Sequence, residues 1–415
     1  MKIREFISVF RQAIRNDVTT SRELYELLRN GQSETESGAI VSPDTAMRIS
    51  AFYACLRVLA ESLAQVPCIL YRKTPTGKEK AEDHSLFHLL HESPNSFQTA
   101  FDFFELMQVF LGVRGNAYAL KTVVRGELRE LLPISPDRVT ARQQPDWSVI
   151  YDVSMPDGSI VPTPPERMFH VPGLGFDGIR GLSPLLYHKE TLGVAIQLTR
   201  HTARIFKNGA HIGGVLEHPQ RLSPEAYQRL RESFDEKYAG VSNAHKTLLL
   251  EEGTKFNGTG GMNSKDAQYI ETRKFTRSEI ASIFRVPPHM IGDLERATFS
   301  NIEQQALEFV LYTMTPWFRR FEQRIAMQLL TNKEKPDYFV RFRINDLLRG
   351  DMKTRFSSYN LGILSGWLSR NEVRDMEDMN KEDGLDEFLT PVNMQDPNNP
   401  DDTSTNNPPD KGAKP

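Results

Sequence analysis

Cysteine is almost missing from this chain of 415 residues, with Cys55 and Cys68 as its only two. One falls in a segment patterned as a helix and the other heads a segment patterned as a strand, with no metal-ligand spacing between them. No disulfide framework is implied, and two reduced, buried thiols are expected. Basic excess is missing as well. Lys and Arg number 51 against 54 Asp and Glu, a formal net charge of −3, which excludes a protein that sequesters nucleic acid by bulk electrostatics. Apolar runs are interrupted by charge well before the ~18 residues that suggest a membrane span. Met1 to Arg15 mixes Lys2, Arg4, Arg11 and Arg15 with scattered apolar residues and has no small-residue cleavage site, so no signal peptide is expected and synthesis in the cytosol is.

The usual enzymatic constellations are also missing. No phosphate-cradling Gly-rich loop ends in Gly-Lys-Ser/Thr, and Gly258-Thr259-Gly260-Gly261 lies at the wrong spacing from Lys265 to replace one. There is no metalloprotease His-Glu pair, no Gly-x-Ser-x-Gly elbow and no acidic cluster of the kind a two-metal nuclease needs. His84, His88 and His91 share one helical face, a spacing that suits a metal, but beside a Ser-Pro turn they read better as surface or half-buried side chains.

What is present is an ordinary folded composition, 39% apolar and 25% charged. Residues 1–39 read as a helical, then polar arm. A helix is expected after Ser42-Pro43-Asp44, with Ala51, Ala54, Val58 and Leu59 on its apolar face, then a strand at Cys68-Ile69-Leu70-Tyr71 and a turn at Thr74 to Gly77. A second helix runs from about Thr99 to Val113 with Phe103, Leu106, Met107 and Phe110 on one face. Short strands follow, with turns at Arg125-Gly126, Ser135-Pro136-Asp137 and Pro156-Asp157-Gly158, so residues 45–180 form an α+β unit with a small antiparallel sheet.

Ser183-Pro184 and Ser223-Pro224-Glu225 are helix starts, because Ser caps the first N–H groups and Pro needs no donor at the first helical position. The first of these helices stops at Asn208-Gly209 and the second near Ala239-Gly240. A strand is expected at Thr247 to Leu250. A helix over Asp266 to Arg285 is stopped by Pro287-Pro288. Ser300 and Glu303 make a capping-box pattern at the head of a helix of about 30 residues, roughly 45 Å long, which Pro316 should kink. A strand at Tyr338 to Phe342, helices near 351–361 and 370–379, and a disordered Asn/Asp/Pro-rich tail at 395–415 complete the chain.

Several blocks resemble the phage portal family: Gly115-Asn116-Ala117-Tyr118, Gly181-Leu182-Ser183-Pro184, Phe206-Lys207-Asn208-Gly209-Ala210, Glu271 to Phe275, and Val286-Pro287-Pro288-His289-Met290-Ile291-Gly292-Asp293. The run from Ala297 to Gln305, Pro316-Trp317 with Glu322, and the Arg341-to-Asp346 strand also fit. The blocks keep family order and cover residues 40–385. The resemblance implies an α+β subunit of a ring of about twelve. Its α/β wing would be residues 40–182 with 335–365 returning to it. Its stem helices would be 183–209 and 266–286, its clip 210–265, a long kinked helix 301–334 and a crown 366–394.

The resemblance further makes residues 287–300 a tunnel loop, with Pro288, His289, Met290, Ile291, Gly292, Asp293, Leu294, Glu295, Arg296, Ala297, Thr298 and Phe299 at the channel. From the residues alone this stretch reads as a helix–helix connection. Arg200, Arg204, Lys207, Arg273, Lys274 and Arg277 mark the stem, where a solvated face with salt bridges between subunits is expected rather than a grip on DNA. The implied function is a non-enzymatic channel for double-stranded DNA at one vertex of a virion, assembled in the host cytoplasm. Its implied partners are copies of itself, the terminase large subunit, capsid and scaffolding proteins, and head-completion or tail adaptors, with no cofactor, metal or membrane. The competing readings are a terminase-like ATPase or nuclease, against which the missing motifs count, and a scaffolding or adaptor protein.

Overall fold

The computed structural model describes residues 35–75, 77–155, 157–207, 215–218, 222–238, 255–257, 265–294, 299–344, 352–377 and 379–389. The chain divides into two units, Met1–Ile344 and Asn345–Pro415. Strands of the first unit are β1 (Cys68–Thr74), β2 (Gly77–Lys80), β3 (Asn116–Val124), β4 (Glu127–Ile134), β5 (Val139–Gln143), β6 (Val149–Ser154), β7 (Ile160–Thr163), β8 (Met168–Pro172), β9 (Val215–Glu217), β10 (Lys255–Asn257) and β11 (Tyr338–Phe342). Its helices are α1 (Pro43–Met47), α2 (Ser50–Ala64), α3 (Ser85–His91), α4 (Ala100–Arg114), α5 (Pro184–Tyr187), α6 (Lys189–Lys207), α7 (Pro224–Tyr238), α8 (Lys265–Phe284), α9 (Phe299–Glu308) and α10 (Thr315–Gln328). The expected α+β class is what this element order shows.

Local chemistry sets the helix ends. Ser42 and Thr45 cap one another reciprocally at the head of α1, and Thr99 and Asp102 do the same for α4. The single helix expected after Ser42 is broken at Arg48–Ile49 into α1 and α2. The buried face of α2 is Phe52, Cys55, Leu56, Leu59 and Leu63, while Ala54 and Val58 are only half-buried, because the bulkier residues take the core side. On α4 the buried face runs Phe103, Phe104, Met107 and Leu111, leaving Leu106 and Phe110 half-buried. Phe104 meets Phe321 and Phe342 edge to face at 5.8 and 5.4 Å, which ties α4, α10 and β11 together.

The sheet expected in this region is two separate three-stranded antiparallel sheets, ordered β4-β3-β8 and β5-β6-β7. Arg125 and Gly126 both have positive φ (55° and 85°), the requirement of the tight turn that joins β3 to β4. Tyr118, Ile134, Val139, Ala141, Tyr151, Val153 and Met168 form one core drawn from both sheets. A third sheet places β1 between β2 and β11, with Cys68 opposite Phe342 and Arg72 opposite Tyr338.

Ser183 caps α5 as expected, accepting from Leu186 N, but His188 interrupts the helix before α6. β9 and β10 pair antiparallel, Glu217 opposite Lys255. The strand expected at 247–250 lies outside the described residues, as do the 1–34 part of the arm, most of the clip and the 395–415 tail.

The long helix departs from expectation twice. It starts at Phe299, so Ser300 sits inside its first turn rather than capping it, and it ends at Gln328 instead of 334. Between α9 and α10, residues Phe309–Met314 wind as a π-helix, so the irregularity expected at Pro316 lies just ahead of it.

The stretch 335–365 falls in both units. β11 pairs with β1, but the helix α11 (Met352–Leu364) belongs to the second unit. There Ser369 and Glu372 cap α12 (Arg370–Met376), and Asn371 donates to Glu382 O at 2.8 Å. The Glu377 carboxylate accepts from Tyr359 at 2.9 Å and pairs with Arg355 at 2.8 Å, which fixes α11 against the end of α12.

Candidate functional site

α6 and α8 pack against one another. Their buried residues are Leu192, Ala195 and Ile196 on α6, and Thr276, Ile280, Ala281 and Phe284 on α8. Phe284 meets Phe52 of α2 edge to face at 5.4 Å, anchoring the end of α8 in the core. With those faces inward, Arg200, Arg204, Arg273 and Lys274 are exposed, and Lys207 closes the described part of α6. Arg277 differs: its Nη1 lies 3.6 Å from Asp293 Oδ2. The structure thus joins a residue of α8 to one in the connection that follows it, 16 positions downstream.

α8 terminates in a closed turn. Arg285 N donates to Ser282 O at 3.1 Å and Val286 N to Ala281 O at 3.0 Å, the double bond pattern that satisfies a helix's last carbonyls. The pattern needs a left-handed residue, normally Gly, and here Arg285 fills it with φ 55°. Its strained backbone is held from α9's continuation, since Thr313 Oγ1 donates to Arg285 O at 2.8 Å. Pro316 has no N–H, so Tyr312 O lacks its usual helical donor, and Arg285 Nη1 approaches it at 3.5 Å.

Pro288–Ile291 then form one short 3-10 turn, ended by Gly292 at φ 80°, where a side chain would be strained. Asp293 N closes back on Pro288 O at 3.0 Å. His289 Nδ1 and Gln305 Oε1 are 2.9 Å apart, which makes Nδ1 the protonated nitrogen and ties the turn to α9. Met290 and Ile291 are half-buried and Leu294 is exposed. Glu295, Arg296, Ala297 and Thr298 lie outside the described residues, and Phe299 opens α9. Between α8, the turn and the π-helix lies a groove of about 370 Å³, lined among others by Arg285, Val286, Pro287, Phe309 and Tyr312.

Among the described residues no group of three or more His, Cys, Asp and Glu side chains is placed to hold a metal ion, and no helix is long and apolar enough to cross a membrane. Of the three histidines on one face, His84 has a structural task. Its Nδ1 accepts from Leu86 N at 3.0 Å to cap α3, which leaves Nε2–H facing Glu334 at 3.3 Å.

The Phage portal protein family model matches residues 50–378. The probable portal protein of Streptomyces phage phiC31 is 30% identical over 372 residues, covering 86% of this chain and 81% of that protein. The chain belongs to the phage portal family. The portal protein of Enterobacteria phage HK97 is 30% identical over 345 residues, covering 82% of this chain and 80% of its own length. In solved structures, a chain from the virion of a native gene transfer agent particle has a TM-score of 0.58 at 23% identity, covering 82% of this chain and 95% of that one, which supports the portal fold. Portal proteins are structural components of the particle rather than enzymes.

The blocks that carry the portal resemblance turn out to do different jobs. Gly115-Asn116 and Gly181 form a joint. A Cβ on Gly115 would lie 1.9 Å from Leu182 O, and one on Gly181 would lie 1.8 Å from Gly115 O, so two backbones touch where side chains cannot fit. Asn116 Nδ2 donates to Gly181 O at 2.8 Å while its Oδ1 accepts from Gly181 N at 2.8 Å and His170 Nε2 at 3.1 Å. His170 stacks on Tyr118 at 4.3 Å, and Tyr151 OH faces its Nδ1 at 3.3 Å. Burial, helped by the nearby Arg324 charge, pushes its pKa down to about 3, so the imidazole is neutral. Glu322 is buried and accepts from Phe342 N at 2.9 Å, Arg341 at 2.7 Å and Arg319 at 3.0 Å, pinning β11 to α10. Asn116, Gly181 and Glu322 hold the fold, whereas the 286–293 block and the start of the run from Ala297 fall in the stretch that links α8 to α9.

One feature escaped the sequence reading. The loop after β8, Gly173-Leu174-Gly175-Phe176-Asp177-Gly178, leaves Leu174 77% and Phe176 86% exposed. Apolar residues alternating with turn formers were the available signal.

Proposed function

We propose that this subunit forms a closed ring of about twelve copies that encloses a channel for double-stranded DNA, with residues 287–300 as its constricting loop. Solved relatives in fold include necks of gene transfer agent particles with C12 and C6 symmetry. Residues 40–182 are the wing, with β11 returning to it; 183–209 and 266–286 are the stem, 210–265 the clip and 366–394 the crown. The clip faces the terminase large subunit during packaging and head-completion or tail adaptors afterwards. Capsid and scaffolding proteins surround the ring at one vertex of the virion, after assembly in the host cytoplasm. The chain itself performs no catalysis.

The observation that carries the loop assignment is the double bracing of its described half. Arg277 holds Asp293 from α8, and Gln305 holds His289 from α9. A loop fixed at its base by two helices transmits their movement to its tip. The exposed cations of α6 and α8 are read as a solvated face, since one charge repeated about twelvefold already shapes a channel potential.

Replacing Asp293 with Ala tests the loop. The partly exposed pair contributes only about 0.2–1 kcal/mol to folding, so the subunit should fold and close rings normally. Packaged DNA per head should fall several-fold, and the exchanged pair Arg277→Asp with Asp293→Arg should restore it. Normal packaging by Asp293→Ala would remove the loop from the channel, and loss of the rings themselves would make the pair a purely structural contact.

A further inference from the structure

A threonine hydroxyl inside a helix commonly turns back on that helix, and three in this chain do so. Thr199, Thr202 and Thr276 donate to the carbonyls four residues behind them, Ala195 O, Leu198 O and Thr272 O, at 3.0, 2.8 and 2.9 Å. Thr313 does otherwise. From within the π-helix its Oγ1 donates to Arg285 O at 2.8 Å, 28 positions back along the chain. The residue it holds is the strained one. Arg285 stands at φ 55° in the position that closes α8, where Gly is the unstrained choice. The Arg285 side chain returns the contact, with Nη1 3.5 Å from Tyr312 O. Beside these two bonds lies the groove of about 370 Å³, so the turn after α8 has space to move against the π-helix.

We propose that Arg285 and Thr313 form a clasp with two positions, which sets the direction in which the connection after α8 leaves that helix. In the closed position described above, Thr313 holds Arg285 O and Arg285 is left-handed. In the open position Arg285 relaxes to the right-handed conformation, and the Thr313 hydroxyl turns back to Phe309 O, the carbonyl four residues behind it. The exchange conserves the hydroxyl's hydrogen bond, and the carbonyl of the exposed Arg285 is left to water. Backbone strain favours opening and the Thr313 bond favours closing, so the two positions lie close in energy. The pairs Arg277–Asp293 and His289–Gln305 join partly exposed side chains and restrain the connection weakly, whereas the turn at Arg285 fixes its direction. That the connection is the constriction of a channel rests on the ring reading given above; the clasp is a property of the single subunit.

Spin labels on Leu294→Cys and Leu311→Cys mark the connection and the π-helix at exposed positions, while the buried Cys55 and Cys68 stay unlabelled. Electron–electron distances, measured on full-length subunits diluted among unlabelled copies, should show mainly the closed separation. Thr313→Val keeps the side-chain shape without the hydroxyl and should raise the ratio of open to closed by ~10-fold. Thr313→Ser should leave it unchanged. Adding Arg285→Gly to Thr313→Val should restore the closed separation, because Gly takes the left-handed turn without a strain worth ~10-fold in that ratio. An unchanged distance in Thr313→Val overturns the clasp. Further opening on adding Arg285→Gly overturns strain as the opening force, since the lost arginine side chain would then be the support. A Thr313→Val chain that melts well below wild type without a second distance makes the bond part of the general core, and overturns the two positions. Rings and packaging do not enter these distances, so failure of the ring reading leaves them unaltered.

Discussion

Asn116→Ala is the substitution that most sharply separates a joint from a surface motif. In the folded subunit the Asn116 side chain is 2% exposed and serves three buried groups at once: Gly181 O, Gly181 N and His170 Nε2. Alanine removes all of these bonds and leaves the three groups without that partner. Each stranded buried group costs about 1–3 kcal/mol, so the lower bound is about 3 kcal/mol. At roughly 2–4 °C per kcal/mol for a large unit, the melting temperature should fall by about 6–12 °C. Asn116→Asp should not rescue it, because the lost Nδ2 donor becomes an oxygen facing Gly181 O. Differential scanning calorimetry reads the shift directly. A melting temperature within about 1 °C of wild type would refute the joint, because no arrangement of three stranded buried groups is that inexpensive.

Two further outcomes follow from the same core. The folded pKa of His170, about 3, lies below its ordinary value near 6.5, so protons bind the unfolded chain preferentially and stability falls as pH drops from about 6.5 towards about 3. Between pH 7 and 5 this residue should account for about 2 kcal/mol of lost stability in urea denaturation, and His170→Gln should lose that part of the slope; an unchanged slope would contradict it. Glu322→Ala should cost about 3 kcal/mol by stranding Phe342 N–H and releasing β11 from α10, with Glu322→Gln recovering part of the loss in the same melts, whereas equal melting of Glu322→Ala and wild type would count against the strut.

What could be read from the sequence was what depends on neighbours along the chain. Ser183-Pro184 and Ser223-Pro224 announced α5 and α7 because capping is a contact over three residues. The double proline after Arg285 stopped α8 for the same reason. The breaks at Arg48–Ile49 and His188 were hidden, since nothing local forbids the helix there and packing decides. Pro316 signalled an irregular helix, but the π-helix that absorbs it precedes it, over residues whose own propensities are unremarkable. β1's pairing with β11 joins residues about 270 apart in the chain, beyond any periodicity. At the candidate site Arg277 and Asp293 were both visible as charges, yet their pairing depends on the turn at Arg285, which brings the loop back along α8.

The central claim is that copies of this chain close into a ring, and native mass spectrometry of the purified protein tests it most directly. The account predicts one dominant assembly whose mass is a whole multiple, about twelve, of the 47.4 kDa subunit, with no open series of intermediate sizes at high concentration. Monomers alone across the accessible concentration range, or an unbounded ladder of sizes without a closed species, would contradict it.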